Sequence, residues 1–130
     1  MIYPLNAGRR EDTAVVLTAD HGWGLGEHNH WIKYTTWETD TRVPMIIRVP
    51  WKDVAGKRTA ALVEHVDLYP SLAAIVGVPV DKTLESIDGE SWARLLDEPA
   101  GQHKDAVSPQ PIPTIAWLPG MCLRELLVTM

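Results

Sequence analysis

A carboxylate and an imidazole stand side by side directly after a short apolar run in this sequence, and more imidazoles and an ammonium follow within one loop. The stretch is Thr18-Ala19-Asp20-His21-Gly22-Trp23-Gly24-Leu25-Gly26-Glu27-His28-Asn29-His30-Trp31-Ile32-Lys33-Tyr34. The run at 14–17 reads as a buried strand, and in open α/β sheets ligands bind outside the carboxyl ends of strands. Gly22, Gly24 and Gly26 let the backbone turn tightly or approach a ligand closely. This is the inventory of a metal and anion site. The Asp20 carboxylate suits a hard cation such as Ca²⁺ or Mg²⁺, whereas the His21 imidazole leans towards Zn²⁺ or another transition metal. Lys33 can neutralise an anionic substrate as a compact point charge.

Spacing alone leaves plainer readings open, and it favours them. Asp20 fits a loop cap and His21 a packed histidine. His21, His28 and His30 match no standard structural zinc spacing and have no thiol nearby, so loop histidines with local hydrogen bonds are the preferred reading. Lysines such as Lys33 are most often solvated. Trp23, Trp31 and Trp37 could line a sugar-binding cleft, but anchors for loop packing are the commoner use. Thr35 and Glu38 have the spacing of a capping box, Glu38 and Arg42 that of an i,i+4 pair. Asp40 is expected in solvent, and Arg48, inside an apolar strand, needs a partner if buried. No Gly-x-Ser-x-Gly elbow and no Gly-x-x-x-x-Gly-Lys loop occurs.

The elements that must position these groups belong to one domain or a piece of one, at 130 residues. Residues 13–19 read as a central strand, and 20–42 as a long functional segment with one short helix. Residues 43–49 read as a second strand, with Pro44 delaying its ladder to Met45. A short strand at 63–66 leads to the clearest helix, with Asp67 as its N-cap, Pro70 in its first turn, and Gly77 and Pro79 as its stop. A weaker helix is expected at 91–96. Two apolar runs joined by a long crossover imply neighbouring strands of a mostly parallel sheet. Prolines between 109 and 119 argue against regular structure there, and 123–130 suits helix or strand equally.

A net charge of −5 without a basic block argues against a nucleic-acid partner. Cys122 is the single cysteine, which excludes an intrachain disulfide and a thiol-rich metal site. The first residues show no signal-peptide pattern, and no apolar run is long enough to span a bilayer.

The long motif, followed by Trp37-Glu38, Thr41-Arg42-Val43-Pro44-Met45-Ile46-Ile47, Val66-Asp67-Leu68-Tyr69-Pro70-Ser71-Leu72 and Asp88-Gly89-Glu90-Ser91, resembles the second half of a type I sulfatase. Within that family it is most similar to the iduronate-2-sulfatase group, over roughly residues 10–110. The resemblance implies part of an alkaline-phosphatase-like α/β fold, a mostly parallel sheet with flanking helices. Residues 1–110 would be the C-terminal part of the catalytic domain and 111–130 an irregular tail. It implies a sulfuric ester hydrolase acting on sulfated glycans, with Asp20 and His21 as ligands of a divalent cation, usually calcium, and Lys33 as a sulfate contact. His28 lies in the matching Gly-Glu-His element, beside the site without an assigned role. Family members are commonly periplasmic, secreted or lysosomal.

The departures bear equally on function. The family's nucleophile is a formylglycine made from Cys or Ser in a Cys-x-Pro-x-Arg motif, and Cys122 sits in Cys-Leu-Arg-Glu-Leu. The early paired aspartates are absent too. The chain is therefore expected to be a fragment from a truncated, split or frameshifted gene, inactive alone, with an incomplete calcium site and the missing N-terminal half as a partner. A phosphoesterase of the same superfamily and a non-enzymatic binding module are the rival readings.

Overall fold

The computed structural model describes residues 8–80, 87–107 and 122–128. Strand β1 (Val15–Thr18) leads into a small hairpin, β2 (Gly24–Leu25) and β3 (Trp31–Ile32), with a 3₁₀ turn at Glu27–Asn29. Helix α1 (Glu38–Thr41) delivers the chain to β4 (Val43–Arg48), and β5 (Arg58–Thr59) and β6 (Val63–Glu64) follow. A 3₁₀ turn at His65–Asp67 opens helix α2 (Leu68–Val76), a third lies at Ala93–Leu96, and β7 (Cys122–Val128) comes last.

The main sheet runs β1-β4-β7-β5, with β6 also paired to β7. β1 and β4 are neighbours, as the two apolar runs predict, but they are antiparallel, with Val16 opposite Ile47 and Thr18 opposite Met45. Only β4 and β7 are parallel; β5 and β6 join β7 antiparallel. The expected mostly parallel sheet is thus corrected to a mixed one among the described residues. The reason is the path at 20–42: it folds into a hairpin and one helical turn and returns at the same end of the sheet, as antiparallel neighbours do. β7 resolves the helix-or-strand choice near the C-terminus in favour of strand. The proline-rich residues between 109 and 119 lie outside the described residues.

Side chains alternate across a strand. Val43, Met45 and Ile47 of β4 therefore point together into the core, where they meet Val63, Ile75, Trp92, Leu95 and Leu96, with Val16 of β1 packed alongside. The opposite face carries Val15, Leu17 and Pro44, all exposed. β1 is consequently not the buried central strand of the sequence reading: it is an edge of the described sheet, and Leu17 is 63% exposed. A single covered face accounts for this.

α2 ends as its sequence predicts. Gly77 adopts φ +73°, its N–H reaches Ala73 and Ala74, and the Val78 N–H bonds the Ala73 carbonyl at 2.9 Å. This is a glycine-closed C-terminus, open to few other residues. The helix seats Ser71, whose hydroxyl accepts the Trp92 N–H at 2.9 Å. That bond sets Trp92, fully buried, at the centre of the core. Trp92→Ala is expected to cost about 3–5 kcal/mol through lost burial and the cavity left behind. Urea denaturation of the full chain measures it, and a loss under about 1 kcal/mol would show that the core closes over the gap.

Candidate functional site

The site is built at the end of β1. Its last residue, Thr18, donates its hydroxyl to the Pro44 carbonyl at 3.1 Å. The next carbonyl, of Ala19, accepts His65 Nε2–H at 2.9 Å. The chain is therefore tied on two sides where Asp20 and His21 emerge. Asp20 is exposed, its side chain 82% accessible, while the His21 side chain is 19% accessible.

His21 is held at both ring nitrogens. Nδ1–H donates to the Gly22 carbonyl at 2.5 Å. That places the ring proton on Nδ1 and leaves the Nε2 lone pair as an acceptor. Lys33 Nζ donates to this Nε2 at 2.6 Å, and an Asp20 carboxylate oxygen lies 3.1 Å from the same atom. Asp20, His21 and Lys33 thus converge on one point. The Lys33 ammonium also sits 5.2 Å from the centre of the Tyr34 ring.

The hairpin brings Lys33 back. Gly24 pairs with Ile32 and Leu25 with Trp31, and the Gly26 N–H bonds the His30 carbonyl at 3.0 Å. Gly26 takes φ +118°, a conformation that favours glycine. The Glu27 carboxylate accepts the Leu25 N–H at 2.7 Å. This backbone bond, together with one from its own N–H, holds the Glu27 carboxyl below the ordinary carboxylate range.

Lys33 itself sits in a strained turn. Ile32 has φ +76° and Tyr34 φ +85°. Left-handed backbone in a β-branched residue costs on the order of 1–3 kcal/mol and persists only where surrounding contacts over-determine it. Those contacts are present. His30 Nε2–H donates to the Lys33 carbonyl at 3.2 Å. The Thr35 N–H and hydroxyl both donate to Asp40 Oδ2, at 2.9 and 2.7 Å.

The other sequence expectations separate here. His28 stacks on Trp37, with ring centres 3.9 Å apart and 8° between planes, so its described contact is with that ring and not with His21. No group of three His, Cys, Asp or Glu side chains able to hold a metal occurs among the described residues, so the three loop histidines do not make a zinc site there. The capping box is corrected: the N-cap of α1 is Trp37, without a side-chain cap bond, and the Thr35 hydroxyl is spent on Asp40. Asp40 is not solvated but 3% exposed. Arg48 finds partners, donating to the Arg10 carbonyl at 2.7 Å and lying 3.7 Å from Glu11. Trp23, Trp31 and Trp37 are each at least half exposed, while Trp37 stacks on His28 and the Trp31 ring lies beside Gly26.

Sequence reasoning missed His65, placed Asp40 in solvent, and singled out Gly22 only as one of three loop glycines. The only local signal for any of them is glycine at 22: a Cβ there would stand 1.9 Å from the Thr39 carbonyl oxygen.

Chemically, the arrangement presents one ammonium, pre-set by an imidazole, next to an exposed carboxylate. A divalent cation is not caged by these groups alone. Asp20 and His21 are two donors, the imidazole nitrogen already carries an ammonium, and calcium takes about 6–8 oxygens.

The sequence profile of the family described as Sulfatase matches residues 4–78, more than half of the chain. Iduronate 2-sulfatase of Mus musculus is 37% identical over an alignment covering 53% of this chain and 17% of the relative. The Homo sapiens protein of the same name is 33% identical, covering 52% and 17%. N-acetylglucosamine-6-O-sulfatase of Bacteroides thetaiotaomicron is 35% identical, covering 60% and 14%. The chain therefore spans about a sixth of the length of these relatives. An α/β fold of the alkaline-phosphatase type goes with such membership, as does a generally bound divalent cation. With a strand-end Asp-His pair, a returning lysine and a family profile over most of the same residues, the chain belongs to the sulfatase family.

Proposed function

We propose that this chain is the sulfate-facing segment of an iduronate-2-sulfatase-like sulfuric ester hydrolase acting on a sulfated glycan. Residues 1–110 are its share of the catalytic domain. The observation that carries the reading is the Lys33 ammonium held 2.6 Å from His21 Nε2 at the end of β1, beside the exposed Asp20. An ammonium fixed before the substrate arrives stabilises charge developing on sulfate oxygens without reorganising. His21 takes part by accepting from that ammonium, which directs the lysine rather than leaving it to sample solvent. The exposed Asp20 carboxylate forms one flank of a calcium site whose remaining ligands come from outside this segment, and His21 would join it only once Lys33 leaves its Nε2. His28, stacked on Trp37, shapes the rim.

Sulfate-ester cleavage through a covalent intermediate needs an activated nucleophile in line with sulfur. The sequence holds no Cys-x-Pro-x-Arg motif. The chain alone is therefore expected to show no turnover of an aryl sulfate with Ca²⁺ present. Mixing with the N-terminal part of a related sulfatase is expected to restore it. Turnover by the chain alone that disappears in Asp20→Ala would overturn the segment reading. Without turnover, sulfate is still expected to shift the Lys33 side-chain resonances in NMR titrations, and no shift at Lys33 would remove its role as sulfate contact.

A further inference from the structure

We propose that Asp40 is the positioning residue of this site: its buried carboxylate holds the turn that carries Lys33, while its main-chain carbonyl holds the loop that carries His21. The inference rests on the sulfatase reading for its purpose but on separate contacts for its support.

Asp40 lies on α1, outside the Asp20–Lys33 loop. Its side chain is 4% accessible. A buried carboxylate is costly unless its acceptor capacity is met. One oxygen accepts both the Thr35 N–H and the Thr35 hydroxyl, at 2.9 and 2.7 Å. Thr35 is two residues past Lys33, directly after Tyr34 at φ +85°. On the other side of Lys33, His30 donates to the Lys33 carbonyl, and its Nε2 lies 3.9 Å from the same Asp40 oxygen. The carboxylate therefore faces His30 and Thr35 together, the two groups that brace the strained turn.

The main chain of Asp40 does the complementary job. Its carbonyl accepts the Gly22 N–H at 2.7 Å. Gly22 is the residue whose own carbonyl orients the His21 ring. One residue thus fixes both partners of the Lys33–His21 contact. Its action on Lys33 and His21 runs through Thr35 and Gly22 and needs no contact with the substrate.

The test follows the Lys33 ammonium in the full chain, in sulfate-free buffer, by the exchange of its Nζ protons with water. An ammonium held on an imidazole exchanges slowly. In Asp40→Ala the exchange at Lys33 is expected to become about ten- to a hundredfold faster, the factor corresponding to loss of a hydrogen bond to a charged group. Asp40→Asn keeps an oxygen with two lone pairs and is expected to restore the slow exchange. Lys57, whose ammonium donates to the Asp53 carbonyl at 2.8 Å, is the internal reference and should not change. Unchanged Lys33 exchange in a folded Asp40→Ala chain overturns the proposal, as does an Asn variant that behaves like Ala. If Asp40→Ala does not fold, Thr35→Val decides in its place: faster Lys33 exchange upholds the proposal and wild-type exchange overturns it. Because no sulfate is present, a normal result here with no later response to sulfate would count against the functional reading and leave the positioning role standing.

Discussion

Asp67→Ala is expected to destabilise the chain by about 3–5 kcal/mol, the cost typical of leaving a buried charge without its partner. Asp67 is fully buried at the entrance to α2. One carboxylate oxygen accepts the Glu64 N–H at 2.8 Å, and the other accepts the Glu90 N–H at 2.8 Å. Lys104 Nζ adds 2.8 Å contact with the second oxygen and also pairs with Glu64. Buried His103 lies 3.5 Å from the first. Alanine would leave two backbone donors and a largely covered ammonium without this acceptor. Glycine at 89 belongs to the same arrangement: a Cβ there would stand 2.1 Å from the Val66 carbonyl oxygen. Urea denaturation of the full chain measures the loss, and Asp67→Asn separates charge from hydrogen bonding. A decrease below about 1 kcal/mol in Asp67→Ala would mean that water satisfies these groups, as at an exposed pair.

The same network makes a pH prediction. Burial acts to lower the Lys104 pKa, but the hydrogen bonds it donates to Asp67 and Glu64 outweigh it and raise the group above its ordinary 10.5. A lysine raised on folding contributes stability fully below the unfolded value and loses it as pH climbs through the folded one. The contribution is therefore complete below about pH 10.5 and lost above it. The Asp67→Ala chain, in which Glu64 still pairs with Lys104, should show a smaller alkaline component, and an identical alkaline decline in both chains would remove the Asp67–Lys104 contact as its source.

Gly22→Ala is expected to have the largest effect on the site itself. The new Cβ would fall 1.9 Å from the Thr39 carbonyl oxygen and 3.2 Å from the Asp40 Cα. Both are backbone atoms, so the clash cannot be relieved by a side chain swinging aside. Either the Gly22–Asp40 bond of 2.7 Å opens or α1 moves. In each case the Gly22 carbonyl leaves His21 Nδ1, and the ring loses the partner that fixes its proton. We expect a stability loss of about 1–3 kcal/mol, in the range of overpacking. We also expect the single His21 tautomer to give way to an average in long-range proton–nitrogen spectra, with fast Lys33 exchange. A variant that keeps one tautomer would show that this loop tolerates displacement without disturbing the site.

Much of the site was legible because its signals are local. An apolar run followed at once by Asp20-His21 places both residues at a strand end, whatever that strand pairs with. A helix over Leu68–Val76 follows from apolar spacing and from Gly77, whose φ of +73° is a property of one residue. Lys33 could be assigned to the same loop from its closeness in the chain and the resemblance, whereas the hairpin that returns it was seen only in the structure. The family, too, was readable from ordered motifs alone.

What the sequence could not determine depends on partners far away in the chain. The direction of β1 against β4 is decided by the route of residues 20–42, and no residue in either strand specifies it. The edge position of β1 is decided by β7, which pairs with β4 on its other side, 80 residues after Val43 at the register of Leu123 and beyond. Asp40 and Asp67 look like solvated or capping carboxylates, because local spacing says nothing about burial. Their roles come from Gly22 18 residues earlier, and from Glu90 and Lys104, 23 and 37 residues later. Burial turns such carboxylates from optional surface charges into obligatory acceptors, and burial is a property of the packed molecule.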